Sequence, residues 1–384
     1  MRLYVHLLTY NFPLSLLFCF LLLSPLLSPA QKKADSPDFL TLSGQANAAR
    51  DAEHLDDAVA LYKKALLLQP GWVEGWWSLG TVEYDRSNYA KAAEAFRHLV
   101  SLAPKDGTAR AMLGLCQFEL GQDADALRNI RAGRLLGLSD DQQLRHVTIY
   151  HEGVLLLRTS KFKLAQETLG SLCKQNVTTD QLFEGMGLAV MRIMPKDAPP
   201  EQSPGATVVR KAGSAACMAV QRKFDEAVAT DKALLADYPN YPGLHYATGL
   251  TYVEADNVES AVNEFKLELS RDPANIPAKL EIATILYKVD SKTAIQYAND
   301  VVRSRQNLPF PHYLLGLLYL DVGEAPKAIP ELELAAKAFP NDAKVFFALS
   351  TAYARTGNKE KAAQARARFE KLNKQSDSNS KATY

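Results

Sequence analysis

Residues with catalytic or metal-binding chemistry do not cluster in this chain. His146 and His151 stand five apart, which places them on different faces of a helix, so they do not form the i, i+4 pair of a helical zinc site. His54, His98, His245 and His312 are scattered one by one. No HExxH, paired CxxC, P-loop, dinucleotide glycine fingerprint or GxSxG elbow occurs. Asp56-Asp57 and Asp140-Asp141 fall at expected turns or helix starts, where acids cap the backbone and complement the helix dipole. The expectation is a chain without enzymatic activity, with no catalytic residue, no metal and no cofactor. The residues that stand out are aromatic. "GWVEGWWSLGTVEY", residues 71–84, holds all three tryptophans, with Trp76 and Trp77 adjacent. Helical neighbours point about 100° apart, so the two rings cannot pack in the same place. Aromatic side chains dominate interface energetics, and the chemistry they offer is recognition.

A repeat positions these rings. Pro70 and Pro104 are 34 residues apart, as are Pro239 and Pro273, and Pro340 lies 67 beyond Pro273. Twelve residues before each of these prolines is an alanine: Ala58, Ala92, Ala227, Ala261 and Ala328. Four residues after three of the alanines comes a large ring, Tyr62, Phe96 or Phe265, while Leu332 and Asp231 fill that place in the other two. Leu79-Gly80 recurs as Leu113-Gly114, Thr248-Gly249 and Leu315-Gly316.

These marks resemble the tetratricopeptide repeat, a helix–turn–helix unit of 34 residues. The best copies carry Trp76, Leu79, Gly80, Ala92, Phe96 and Pro104, and Gly249, Tyr252, Ala261, Phe265 and Pro273. In the first of these Glu83 stands where the pattern has Tyr, with Tyr84 one place later. Weaker copies begin near Gly107, His146 and Ala343, and the copy between Ile276 and Pro309 is one residue short in its turn. The resemblance implies an all-α chain: a tetratricopeptide-type α-solenoid of about nine units, wound as a right-handed superhelix, with the first helix of each unit on the concave face. The physics agrees. Neither helix of a unit can bury its apolar stripe alone, so small residues such as Gly80 and Ala92 let helices approach, rings fill the space around them, and stacking completes a continuous core.

In this family the fourth position packs in the core, and the second, fifth, ninth and twelfth face the groove. The resemblance therefore implies a core role for Trp76 and a peptide-binding role for Trp77, Tyr150, Tyr246, Tyr313 and Phe347 at fifth positions and for Tyr84 and Phe118 at twelfth positions. Leu115, Val154, Leu250 and Leu317 extend the same wall. A protein or peptide segment is the expected partner, and internal packing of this face is the alternative. One family variant clamps C-terminal carboxylates with Lys at position five and Asn at nine. Asn47 fills a ninth position here, but Ser43 fills the fifth, so that clamp is not expected.

Around the array the sequence reads as follows. Residues 1–30 end a dense apolar run with Ser28-Pro29-Ala30 and are expected to be a cleaved signal peptide, the alternative being an uncleaved membrane anchor. A linker, 31–38, leads to units 1–4 at 39–177. An extra amphipathic helix and a loop with four prolines in 194–206 fill 178–207, as a hinge, a lid or a tolerated insertion. Units 5–9 occupy 208–376, and 377–384 reads as a disordered tail. Beyond residue 30, Cys116, Cys173 and Cys217 form no disulfide framework and read as buried small apolar residues, with a single bridge as the alternative. The 44 basic and 43 acidic residues show no single-sign block, so nucleic acid is not an expected partner. The expected protein is an exported, periplasmic or extracellular, non-enzymatic scaffold, and analogy with bacterial periplasmic repeat proteins points to envelope or secretion-complex assembly. An enzyme or enzyme subunit with a site in the groove, or a membrane-tethered assembly factor, are the alternatives.

Overall fold

A computed structural model describes residues 36–381. Among them are 19 α-helices, one 3-10 turn and no strand. The expected signal peptide and most of the linker lie outside the described residues. The chain divides into two compact units, residues 1–213 and 214–384.

The first unit stacks α1 (Pro37–Asp51), α2 (Leu55–Leu68), α3 (Val73–Asp85), α4 (Tyr89–Leu102), α5 (Gly107–Glu119), α6 (Asp123–Leu136), α7 (Gln142–Arg158), α8 (Phe162–Lys174) and α9 (Asp180–Val190). Consecutive helices pair as hairpins, and each hairpin packs on the next. Local chemistry starts several of them. Asp106 accepts from the Ala109 amide at 2.9 Å, and Thr179 from the Leu182 amide at 3.2 Å, which satisfies N–H groups that a helix start leaves open. Each hairpin turns through one left-handed residue at the same register: Glu53, Ser87, Gly121 and Ser160.

Close helix approach follows from the small residues. A side chain added at Gly80 would stand 2.8 Å from the Phe96 ring, and Phe96 is fully buried. Glu83, the departure from the tyrosine pattern, is buried too. Its carboxylate accepts from Asn88 at 2.8 Å and sits 3.5 Å from Arg86 and 3.6 Å from Lys63, so a polar cluster replaces a ring. Trp76, expected in the core, is half-buried. It stacks on His98 at 4.5 Å and donates its indole N–H to the Pro70 carbonyl at 2.8 Å.

The proline-rich stretch is shorter and more ordered than its composition suggests. A 3-10 turn at Pro195–Asp197 packs on α7, and α10 (Pro204–Val220) already begins inside the expected loop. Proline is tolerated at the first turn of a helix, where its missing N–H has no partner to lose. The first two turns and the middle of α10 meet α9 at backbone contact: a Cβ at Gly187 would meet the Val209 carbonyl oxygen at 1.9 Å, and one at Gly213 the Phe183 oxygen at 1.7 Å.

The second unit continues with α11 (Phe224–Asp237), α12 (Leu244–Glu254), α13 (Val258–Arg271), α14 (Ile276–Leu286), α15 (Ser291–Ser304), α16 (Pro309–Asp321), α17 (Ala325–Ala338), α18 (Ala343–Arg355) and α19 (Lys359–Lys381). Its core includes Phe265, Ile282, Leu314 and Leu318. His245 and His312 hold the register position that Trp76 holds earlier. Each sets Nδ1 against a carboxylate of the second helix, Glu264 at 2.6 Å and Glu331 at 2.5 Å. The polar tail assigned to disorder continues as helix to Lys381. Cys116 is a buried free thiol, pushed up to about 12 by burial, whereas Cys173 and Cys217 are each disulfide-bonded, which corrects their reading as simple apolar residues. Among the described residues no helix is long and apolar enough to cross a membrane, and no group of three or more His, Cys, Asp or Glu could hold a metal ion.

Candidate protein-binding surfaces

In the first unit the expected groove rings are half-buried and sit on neighbouring first helices. Trp77, on α3, meets the Phe96 ring edge-on at 5.7 Å. Tyr84, at the end of the same helix, packs edge-on against Tyr89 at 5.3 Å, and burial raises its hydroxyl pKa. Phe118, on α5, lies between the Arg158 guanidinium, 4.2 Å from the ring centre, and His151 at 4.5 Å. Tyr150, on α7, is 5.6 Å from His151. His151 itself is a neutral wall residue: desolvation lowers its pKa to about 4, and Nδ1 donates to the Val147 carbonyl at 2.7 Å. Direct contact of α5 with α7, and of α7 with α9, places successive first helices side by side.

In the second unit the three assigned rings part company. Tyr246 is only 4 % exposed. Its ring tilts onto Phe265 at 5.5 Å and its backbone N–H donates to buried Glu268 at 3.3 Å. It belongs to the core around Phe265, so no partner can reach it without opening that core. Tyr313 and Phe347, by contrast, open onto one hollow of ≈ 530 Å³ on the side of α14, α16 and α18. Its apolar lining is Tyr287, Tyr313, Leu317, Leu320, Phe347 and Phe369. Phe347 is 50 % exposed, with its ring centre 5.3 Å from that of Phe369 on α19. Burial raises the Tyr313 hydroxyl pKa, and the carboxylate of Asp342 adds to the effect.

The charged lining is uneven. Lys288, Lys344 and Arg355 face a single carboxylate, Asp321. Asp321 is already engaged: it pairs with Lys288 and accepts from Ser291 at 2.7 Å, and the Lys288 contact holds its pKa down. Lys288 also stands 4.9 Å from the Tyr287 ring centre. Arg355 gives one N–H to the Leu320 carbonyl. Among the described residues neither Lys344 nor Arg355 forms a close ion pair, although Arg355 is near enough to Asp321 to help hold its pKa down.

Two further lining residues also hold groove positions of the repeat. Tyr287 occupies a twelfth position and Lys344 a second position of their repeats. Lys288 follows from the short turn after α14, where its backbone takes φ +83°. Phe369 lies on a second helix at the end of the array, so the groove positions give no sign of it.

The tetratricopeptide repeat family profile matches residues 43–107, 78–132 and 313–376. Solved structures of MamA proteins share the helical architecture over part of the chain. The structure named MamA MSR-1 C2 is 19% identical, with 44% of this chain and 98% of that chain covered and a TM-score of 0.40. MamA RS-1 ArsTM double mutant is 23% identical, with coverage of 44% and 97% and a TM-score of 0.41. A further MamA crystal structure is 20% identical, with coverage of 45% and 96% and a TM-score of 0.42. No curated protein sequence matches the chain.

Proposed function

This chain is a tetratricopeptide-repeat protein, a scaffold fold of the protein-interaction class, and from that premise we propose that it is an exported, non-enzymatic adaptor. It holds a protein or peptide segment against the aromatic face of its first helices, in the assembly of an envelope or secretion complex. One observation carries this reading: Tyr313, Leu317 and Phe347, three groove positions of consecutive repeats, line one open hollow. Half-exposed aromatic anchors over a formed hollow are the features that interface hot spots share. Each such anchor contributes about 2 kcal/mol when a partner desolvates it. The disulfide-bonded state of Cys173 and Cys217 supports the export part, because disulfides persist in oxidising compartments.

The test is affinity capture from an envelope extract. The wild type is compared with Trp77→Ala plus Tyr150→Ala, and with Tyr313→Ala plus Phe347→Ala. Loss of the captured proteins in either double variant supports the reading. Equal recovery of the same proteins by all three counts against the groove.

A further inference from the structure

We propose that the hollow of the second unit selects an acidic segment. A partner's aromatic or large aliphatic side chain sits between Tyr313 and Phe347, while an Asp or Glu beside it meets Lys344 and Arg355. This rests on the protein-segment reading above and gives that segment a chemistry. The floor argues for an apolar side chain, since four rings and two leucines line the recess. The rim argues for the acid. Three cations line it against one carboxylate, and that carboxylate is taken up by Lys288 and Ser291. Lys344 makes no ion pair among the described residues, and Arg355 shares that one carboxylate with Lys288 without a close pair of its own; both stand on the helix that also carries Phe347. A partner laid across the hollow removes water from both. Desolvating a cation without a counter-charge is costly, so a partner that supplies carboxylates is favoured and one that brings lysines is repelled.

The same geometry argues against a cationic guest in the ring cluster. Aromatic faces do attract cations, but Lys288 already stands over Tyr287, and a second cation would add to the positive rim. A phosphate backbone fits less well, because Lys344 and Arg355 flank an apolar recess lined by rings.

The probe is a random twelve-residue peptide display library, selected on the immobilised chain from residue 31 to its end. Peptides enriched by the wild type are expected to carry an aromatic or large aliphatic residue with Asp or Glu close by. Phe347→Ala should abolish the enrichment of those peptides. Lys344→Glu should weaken the preference for acids about fivefold, the scale of one rim ion pair. Both side chains are exposed, and thermal melts of the variants establish that the fold is kept. Enrichment of basic or uncharged peptides overturns the acid preference. So does enrichment indifferent to Phe347→Ala and Lys344→Glu. If such peptides are instead lost with Trp77→Ala plus Tyr150→Ala, the adaptor reading stands and only this site falls. No enrichment at all, or indifference to every one of these variants, overturns both.

Discussion

Asp231→Asn should flatten the loss of stability as pH rises from mildly acidic to neutral. Asp231 occupies the place that a ring fills in three other repeats, yet it is only 1 % exposed and one carboxylate oxygen has no hydrogen-bond partner. Burial pushes its pKa to about 7. The nearby Glu264 adds to this, and a hydrogen bond with Thr251 acts against it. The unfolded chain sheds this proton near the ordinary value of 3.8. Between there and about pH 7 the folded state binds more protons than the unfolded state, so stability falls as pH rises. At about 1.4 kcal/mol per pH unit, the whole interval corresponds to about 4 kcal/mol, and the part above about pH 5 to about 3 kcal/mol. Asparagine keeps the shape and removes the titration. Urea unfolding of both proteins at about pH 5 and about pH 8, with amide exchange in α11 and α12 as the local readout, measures the difference. The variant should gain on the wild type by about 3 kcal/mol across that range. A difference that stays constant with pH would refute the reasoning, because it would mean that Asp231 is already ionised in the fold.

Two further predictions concern packing and processing. Gly187→Ala forces a methyl into the Val209 carbonyl oxygen and should cost about 3 kcal/mol, seen as a lower thermal midpoint, whereas Gly44→Ala, in open space on α1, should raise it slightly. The proposed export predicts a mature chain that begins at Gln31 by N-terminal sequencing and that, denatured without reductant, shows one reactive thiol, Cys116.

Much of this architecture is visible in the sequence because the repeat states the same packing rule many times. The spacing of Gly80 from Phe96, and of Gly249 from Phe265, encodes a helix contact that the structure contains at both places. Single departures were harder to interpret. Glu83 is buried among Arg86 and Asn88, which follow it closely in sequence, and Lys63 of the preceding helix, and the contact with Lys63 shows in no local pattern. Pro204 looked like part of a loop, although proline at a helix start is unstrained. The assigned rings divide for a similar reason. A fifth-position ring leaves its helix toward the inner side, but whether it stays accessible depends on its neighbours. Tyr246 finds Phe265 and is covered, while Phe347 finds only Phe369 beside it and remains half exposed. The charges of the hollow are not legible as a group, because Lys288 lies two repeats before Lys344 and Arg355 and joins them only in the folded array.

The most direct test of the account places a photo-crosslinking phenylalanine analogue at Tyr313, and in a second protein at Leu267, which is exposed on a second helix. Both are irradiated in the envelope extract and the crosslinked peptides are identified by mass spectrometry. The account predicts that the Tyr313 site captures a defined protein segment and the Leu267 site does not. Capture through Leu267 alone would contradict it.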